Sequence, residues 1–138
     1  LIGERSDRPG CWQFPQGGRD PGESLVEAVH REVREELGLA PDTYRILSQK
    51  GPYRYLFPDR RKKNGFDGQE QHYVLAEFIK PDASLRLDDA QEFQNVRWIA
   101  PASYNLDWIA PMKRDVYAQV FRDFFGLQLT DPSRVGNF

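Results

Sequence analysis

Leu25, Val29, Val33 and Leu37 recur at four-residue spacing in a stretch that is otherwise mostly charged. That is the signature of one apolar helix face. Ser24 with Glu27 three residues on forms a capping-box pair, and Gly38 supplies a left-handed stop, so a helix is predicted between them. Met112, Val116, Val120 and Phe124 repeat the spacing. Pro111 suits the first turn of that second helix and Gly126 ends it. Between these helices the pattern is extended. Strands are predicted at residues 43–49 and 53–57 around a Gly51-Pro52 turn, at 70–79 and at 93–99. A short strand is expected at 1–5, and Trp12 to Pro15 is read as extended. Loops are expected at 59–68, opening with Arg60-Arg61-Lys62-Lys63, and at 81–91. Interleaved strands with two helices point to an α+β or α/β sandwich.

Composition narrows the class. A length of 138 residues suits one domain, here expected to span 1–138. Hydrophobic residues make up 39% and charged residues 29%, and no run approaches the ~18 apolar residues of a spanning helix. No membrane association is therefore expected. Aromatics at 13% are too many for a disordered chain. The net charge of -2 means that any polyanion site must come from local clustering. Cys11 is the single cysteine, so no internal disulfide forms, which favours a reducing compartment, the cytoplasm. The chain starts at Leu1 without Met or a leader, so a missing N-terminal segment, including a strand, is expected.

The first helix breaks its own pattern. On a 100° wheel Glu32 and Glu36 fall between Ala28 and Val29, at the edge of the apolar stripe, and Glu35 lies beside them. The outward face already carries Glu27, Arg31 and Arg34. A solvated charge run is the ordinary explanation, but carboxylates three and four residues apart repel, and partial burial raises the cost. A hard divalent cation with oxygen ligands removes the conflict. His30 and His72 are far apart and there is no cysteine cluster, so zinc does not fit. Upstream, Gly17 and Gly18 allow close backbone approach and lead toward a helix N-terminus that favours an anion. Trp12, Phe14, Tyr73 and Trp98 are read as core.

The stretch Gly17-x5-Glu23-x7-Arg31-Glu32-Val33-x-Glu35-Glu36-x-Gly38-Leu39 resembles the Nudix box at every position. Trp12-Gln13-Phe14-Pro15-Gln16-Gly17-Gly18, Gly68-Gln69-Glu70-Gln71, Glu92-Phe93 with Arg97-Trp98, and Lys113-Arg114-Asp115-Val116-Tyr117 resemble elements of one branch. That branch holds dinucleoside polyphosphate hydrolases and RNA 5′-pyrophosphohydrolases. The resemblance implies an α+β Nudix fold, a mixed sheet between helices. It also implies that Glu32, Glu35 and Glu36 bind Mg²⁺ or Mn²⁺ with a carbonyl near Gly17, that Glu92 adds a fourth carboxylate, and that Arg31 pairs with Glu23. Two departures stand out: the additional N-terminal strand and basic residues that the family usually carries before the position of Leu1 are expected to be missing, and Met112 occupies a position that is usually Phe and stacks a base.

The activity so implied is metal-dependent hydrolysis of a nucleoside 5′-polyphosphate, a dinucleoside polyphosphate or the 5′-triphosphate end of RNA. Such chemistry needs positioning and charge neutralisation more than covalent machinery. Glu36, Glu32 and Arg31 form the expected catalytic group, with Glu36 or Glu32 as base and Glu36 preferred. Arg5, Gly18, Tyr55, Gln69, Gln71 and Met112 are the expected substrate contacts, and Glu23 and Gly38 are structural in the box. Arg54 and the Arg60–Lys63 run are further phosphate candidates. The rival readings are hydrolysis of another nucleoside diphosphate-X, such as a nucleotide sugar, and a non-catalytic nucleotide sensor. Such a sensor typically lacks a box carboxylate, and all are present here. No obligatory protein partner is expected.

Overall fold

The computed structural model describes residues 1–58, 67–80, 84–87 and 92–130. The strands are β1 (Ile2–Arg5), β2 (Trp12–Gln13), β3 (Tyr44–Leu56), β4 (Gly68–Phe78) and β5 (Phe93–Arg97), and the helices are α1 (Leu25–Leu37) and α2 (Arg114–Phe125). The architecture is α+β. The strands form a three-stranded sheet of order β2-β1-β5 and a β3–β4 pair. Two compact units result: Leu1–Ser48 with Val74–Trp98, and Gln49–Tyr73 with Ile99–Phe138. No helix among the described residues is long and apolar enough to cross a membrane.

In the first unit, β1 pairs antiparallel with both neighbours, Gly3 facing Gln13 on β2 and Val96 on β5. The ladder with β5 slips after Glu4–Asn95, so that Arg5 faces Phe93 and Gln94 is the extra residue of a bulge. Phe93 explains why residue 3 is glycine: a Cβ there would lie 2.5 Å from the ring. The ring joins Leu37, Leu39 and Tyr44 in a buried cluster, against which Val33, Ile46, Phe78, Leu85 and Val96 pack.

Helix α1 starts and stops where its sequence dictates. Ser24 Oγ accepts from the Glu27 N–H at 3.1 Å, and Glu27 Oε1 accepts from the Ser24 N–H at 3.4 Å. Removing such a cap typically costs about 1 kcal/mol. Gly38 adopts φ 69° and donates its N–H to the Arg34 carbonyl. Its free Cα also lets Arg86 close over the helix end, where the Arg86 N–H reaches the Leu37 carbonyl at 2.8 Å.

The second unit is built on aromatics. Tyr104 stacks on Phe121 at 5.1 Å and meets Trp108 edge-on at 5.3 Å. Tyr53 donates its hydroxyl to Asp123 Oδ2, and Lys50 Nζ donates to the Asp123 carbonyl, both at 2.7 Å.

Four expectations are corrected. The predicted strands 43–49 and 53–57 are one strand, because pairing with β4 continues past Gly51-Pro52. Gly51 is required there for close approach, not for a turn: a Cβ would sit 2.8 Å from His72 Nδ1 and 3.0 Å from the Gln71 carbonyl. Pro111 opens a separate 3-10 turn, Pro111–Lys113, and α2 begins only at Arg114. Its buried face is Val116, Tyr117, Val120 and Phe121, while Met112 and Phe124 are half-buried. Trp98, read as core, is 59% exposed just beyond β5 and rests on Phe78.

Candidate active site

The loop after β2 and the inner edge of α1 meet at Arg31. Its Nε donates to Glu23 Oε2 at 2.9 Å, and its Nη2 donates to Glu23 Oε1 at 2.9 Å and to the Gly18 carbonyl at 2.6 Å. Its Nη1 reaches Glu32 Oε1 at 2.7 Å and Glu35 Oε2 at 3.4 Å. The pair with Glu23 is the one the family resemblance implies, whereas the helical wheel puts Arg31 on the outward face. Its long side chain instead folds back over the loop, because that is where the acceptors are. The double grip holds the Glu23 carboxylate down at about 2, helped by the Asp20 N–H, and raises the affinity of Arg31 for its proton. Asp20, which sequence reasoning passed over, adds another carboxylate 3.3 Å from Arg31 Nε. Its place three residues before Glu23, in the loop, was the available signal.

The three helix carboxylates differ in environment. Glu35 is half-exposed, with 52% of its side chain in solvent. Glu32 is mostly covered and packs onto Gly17, where a Cβ would fall 1.8 Å from its carboxyl carbon. Only a residue without a side chain leaves room for that carboxylate. Glu36 is 5% exposed, and neither of its carboxyl oxygens has a hydrogen-bond partner. Among the described residues, Gln13 Oε1 is the other side-chain oxygen in that state. Burial raises the pKa of Glu36 above the ordinary carboxylate value, and the adjoining Glu92 and Glu32 carboxylates raise it further. Glu92 reaches this place because its carbonyl accepts from the Ser6 N–H at 2.9 Å, directly before the anchored Phe93. As they stand, the described residues contain no group of three or more His, Cys, Asp or Glu gathered to hold a metal ion. Glu32 and Glu35 are turned to Arg31 instead.

Gly17, Gly18, Glu23, Arg31, Glu32, Glu35, Glu36 and Glu92 all belong to the first unit, as does Arg5. Arg5 is clasped by Asp7 at 2.6 and 2.7 Å. Tyr55, Gln69, Gln71 and Met112 belong to the second unit. Tyr55 is buried there, donates its hydroxyl to Gln69 Oε1, and lies beneath Lys113 Nζ. Gln71 Oε1 accepts from the Tyr73 hydroxyl at 2.8 Å. Arg54 is paired with Glu70. Arg60, Arg61, Lys62 and Lys63 lie outside the described residues.

Comparison with known proteins bears on this arrangement. A family model described as the NUDIX domain matches residues 1–120. The chain is 40% identical over 131 residues to a protein of Dinoroseobacter shibae named RNA pyrophosphohydrolase, covering 90% of this chain and 81% of that protein. A protein of the same name from Coxiella burnetii is 37% identical over 133 residues; the chain covers 58% of its length and the match 90% of this chain. In fold, the chain resembles a crystal structure of a C. elegans Ap4A hydrolase binary complex. That match has a TM-score of 0.54 at 24% identity and covers 72% of this chain and 67% of the other.

Proposed function

Because this chain belongs to the NUDIX family, we propose that it is a divalent-cation-dependent pyrophosphohydrolase that cleaves a phosphoanhydride bond in the 5′-triphosphate end of RNA. The observation that carries the reading is Glu36: a carboxylate buried without a hydrogen-bond partner, beside Glu32 and Glu92. An arrangement that costs folding free energy is retained where function needs it. The relatives named RNA pyrophosphohydrolase support the substrate class. A dinucleoside polyphosphate presents the same linked phosphates and is the second substrate to test.

The donor set fits a hard cation such as Mg²⁺ or Mn²⁺, since it consists of oxygens only. Glu32, Glu35, Glu36, Glu92 and the Gly17 carbonyl would hold it. When bound, a divalent cation neutralises the polyphosphate and acidifies water for attack on phosphorus. With a cation bound to hold it ionised, Glu36 would accept the proton of the attacking water at a carboxyl oxygen that meets no protein donor. Glu32 is the neighbouring carboxylate positioned by Gly17. Arg31 ties the glycine loop to α1 through Glu23 and Gly18, which fixes the backbone where phosphates approach. Arg5, in the same unit, is proposed to hold the remainder of the substrate. For Arg5 this requires exchange of Asp7 for a phosphate. The lone Cys11 supports a reducing, cytoplasmic location.

The test is a product assay with triphosphorylated RNA, dinucleoside polyphosphates and nucleotide sugars, each with Mg²⁺ and Mn²⁺. Pyrophosphate or phosphate release that leaves monophosphorylated RNA is the expected result. Turnover confined to nucleotide sugars would overturn the substrate class, and no turnover of any substrate would overturn the enzyme reading.

A further inference from the structure

The Arg31 guanidinium has two sides. Nε and Nη2 face the loop, where they meet Glu23, the Gly18 carbonyl and Asp20. Nη1 faces the helix, where it meets Glu32 and Glu35. One positive charge thus serves four carboxylates, and two of those four belong to the proposed cation set. A cation that takes Glu32 and Glu35 must take them from Nη1. The loop side must then hold Arg31 alone. Glu23 does so with both oxygens, and Asp20 Oδ2 stands 3.3 Å from Nε on the same side.

We propose that Asp20 is a positioning residue for the cation site: it draws Arg31 toward the loop, so that Nη1 yields Glu32 and Glu35 to a divalent cation. The inference rests on the proposed function, since it takes those two carboxylates as cation ligands. Glu36, buried and without a hydrogen-bond partner beside Glu32, is the independent sign that a cation belongs there. The Asp20 side chain is 67% exposed, so its pull is screened and its effect is a few-fold rather than orders of magnitude.

The experiment measures Mn²⁺ binding by electron paramagnetic resonance of the free ion, without substrate. Asp20→Asn keeps shape and an acceptor oxygen but removes the charge, and it should raise the Kd for Mn²⁺ about threefold. In an Arg31→Lys background, where one ammonium cannot fork to both sides, Asp20→Asn should have no further effect. The melting temperature in chelator should be the same for Asp20→Asn and the parent, which separates positioning from a loss of structure. Equal weakening by Asp20→Asn with Arg31 and with Lys at that position would mean that Asp20 acts through its long-range field, and would overturn the proposal. An unchanged Kd in the parent background would also overturn it. A parent protein that takes up no Mn²⁺ at all would instead bring down the underlying cation reading, and this one with it.

Discussion

Glu23 grips Arg31 with both carboxylate oxygens at 2.9 Å, across eight residues of chain. That bidentate pair fastens the loop to α1 and locates every other contact of the guanidinium. Bidentate charged pairs are stronger and more directional than single ones.

Its pH dependence follows from the depressed pKa of Glu23, about 2 against an ordinary 4.5. For a depressed carboxylate the stabilisation is complete above the unfolded value and is lost as pH falls through the folded one. Between pH 4.5 and 2 the protein should therefore lose stability in part through Glu23. Glu23→Gln should melt lower than the parent at pH 7 and show a shallower decline across that window in low salt. Parallel melting-temperature curves for the two proteins from pH 7 to 2 would contradict the assignment.

Glu36 carries the opposite sign. Its folded pKa is raised, chiefly by burial and then by Glu92 and Glu32. Stability linked to its protonated form is complete below about 4.5 and declines as pH rises toward the folded value. Metal-free Glu36→Gln should thus melt above the parent at pH 8, with a smaller gap at pH 5. The same change should lower kcat by at least ~100-fold, the usual scale for a lost general base. Near-normal turnover of the variant at saturating Mg²⁺ would remove Glu36 from the catalytic group.

Millimolar Mg²⁺ should raise the melting temperature of the parent, because a ligand that binds only the folded state stabilises it by mass action. Glu35→Gln should reduce that rise. Superimposable melting curves in Mg²⁺ and in chelator would count against the carboxylates as cation ligands.

Gly17→Ala places a methyl group 1.8 Å from the Glu32 carboxyl carbon. A carboxylate is the mobile end of its side chain, so the fold should survive and Glu32 should swing away. Loss of kcat/KM by about 100-fold is expected from misplacing one catalytic group, while circular dichroism and melting temperature stay close to the parent. A drop in melting temperature with parental turnover would show that Gly17 serves the fold alone.

Gly3→Ala meets the rigid, buried Phe93 ring at 2.5 Å. Overpacking of this kind costs about 1–3 kcal/mol, which urea denaturation would read directly. Because Glu92 adjoins Phe93, activity should fall as well. An unchanged urea midpoint would mean that β1 and β5 part readily at that point.

Helix α1 was legible in the sequence because its signals are local: the Ser24–Glu27 pair, the four-residue apolar repeat and Gly38 act within a few turns of one another. The acidic cluster was legible for the same reason, as angular positions on one wheel. Tertiary structure alone decided what each carboxylate experiences. Glu36 is buried because the chain packs over it and β5 delivers Glu92 beside it from more than fifty residues away. Arg31 left the outward face because Glu23, Asp20 and the Gly18 carbonyl offered more acceptors than water-facing charges did. The same distinction explains β3, where a Gly-Pro turn signal gave way to continued pairing with β4, and Trp98, whose exposure depends on where β5 ends. Local propensity acts through neighbouring dihedrals and hydrogen bonds, whereas burial and charge environment come from residues that only folding brings together.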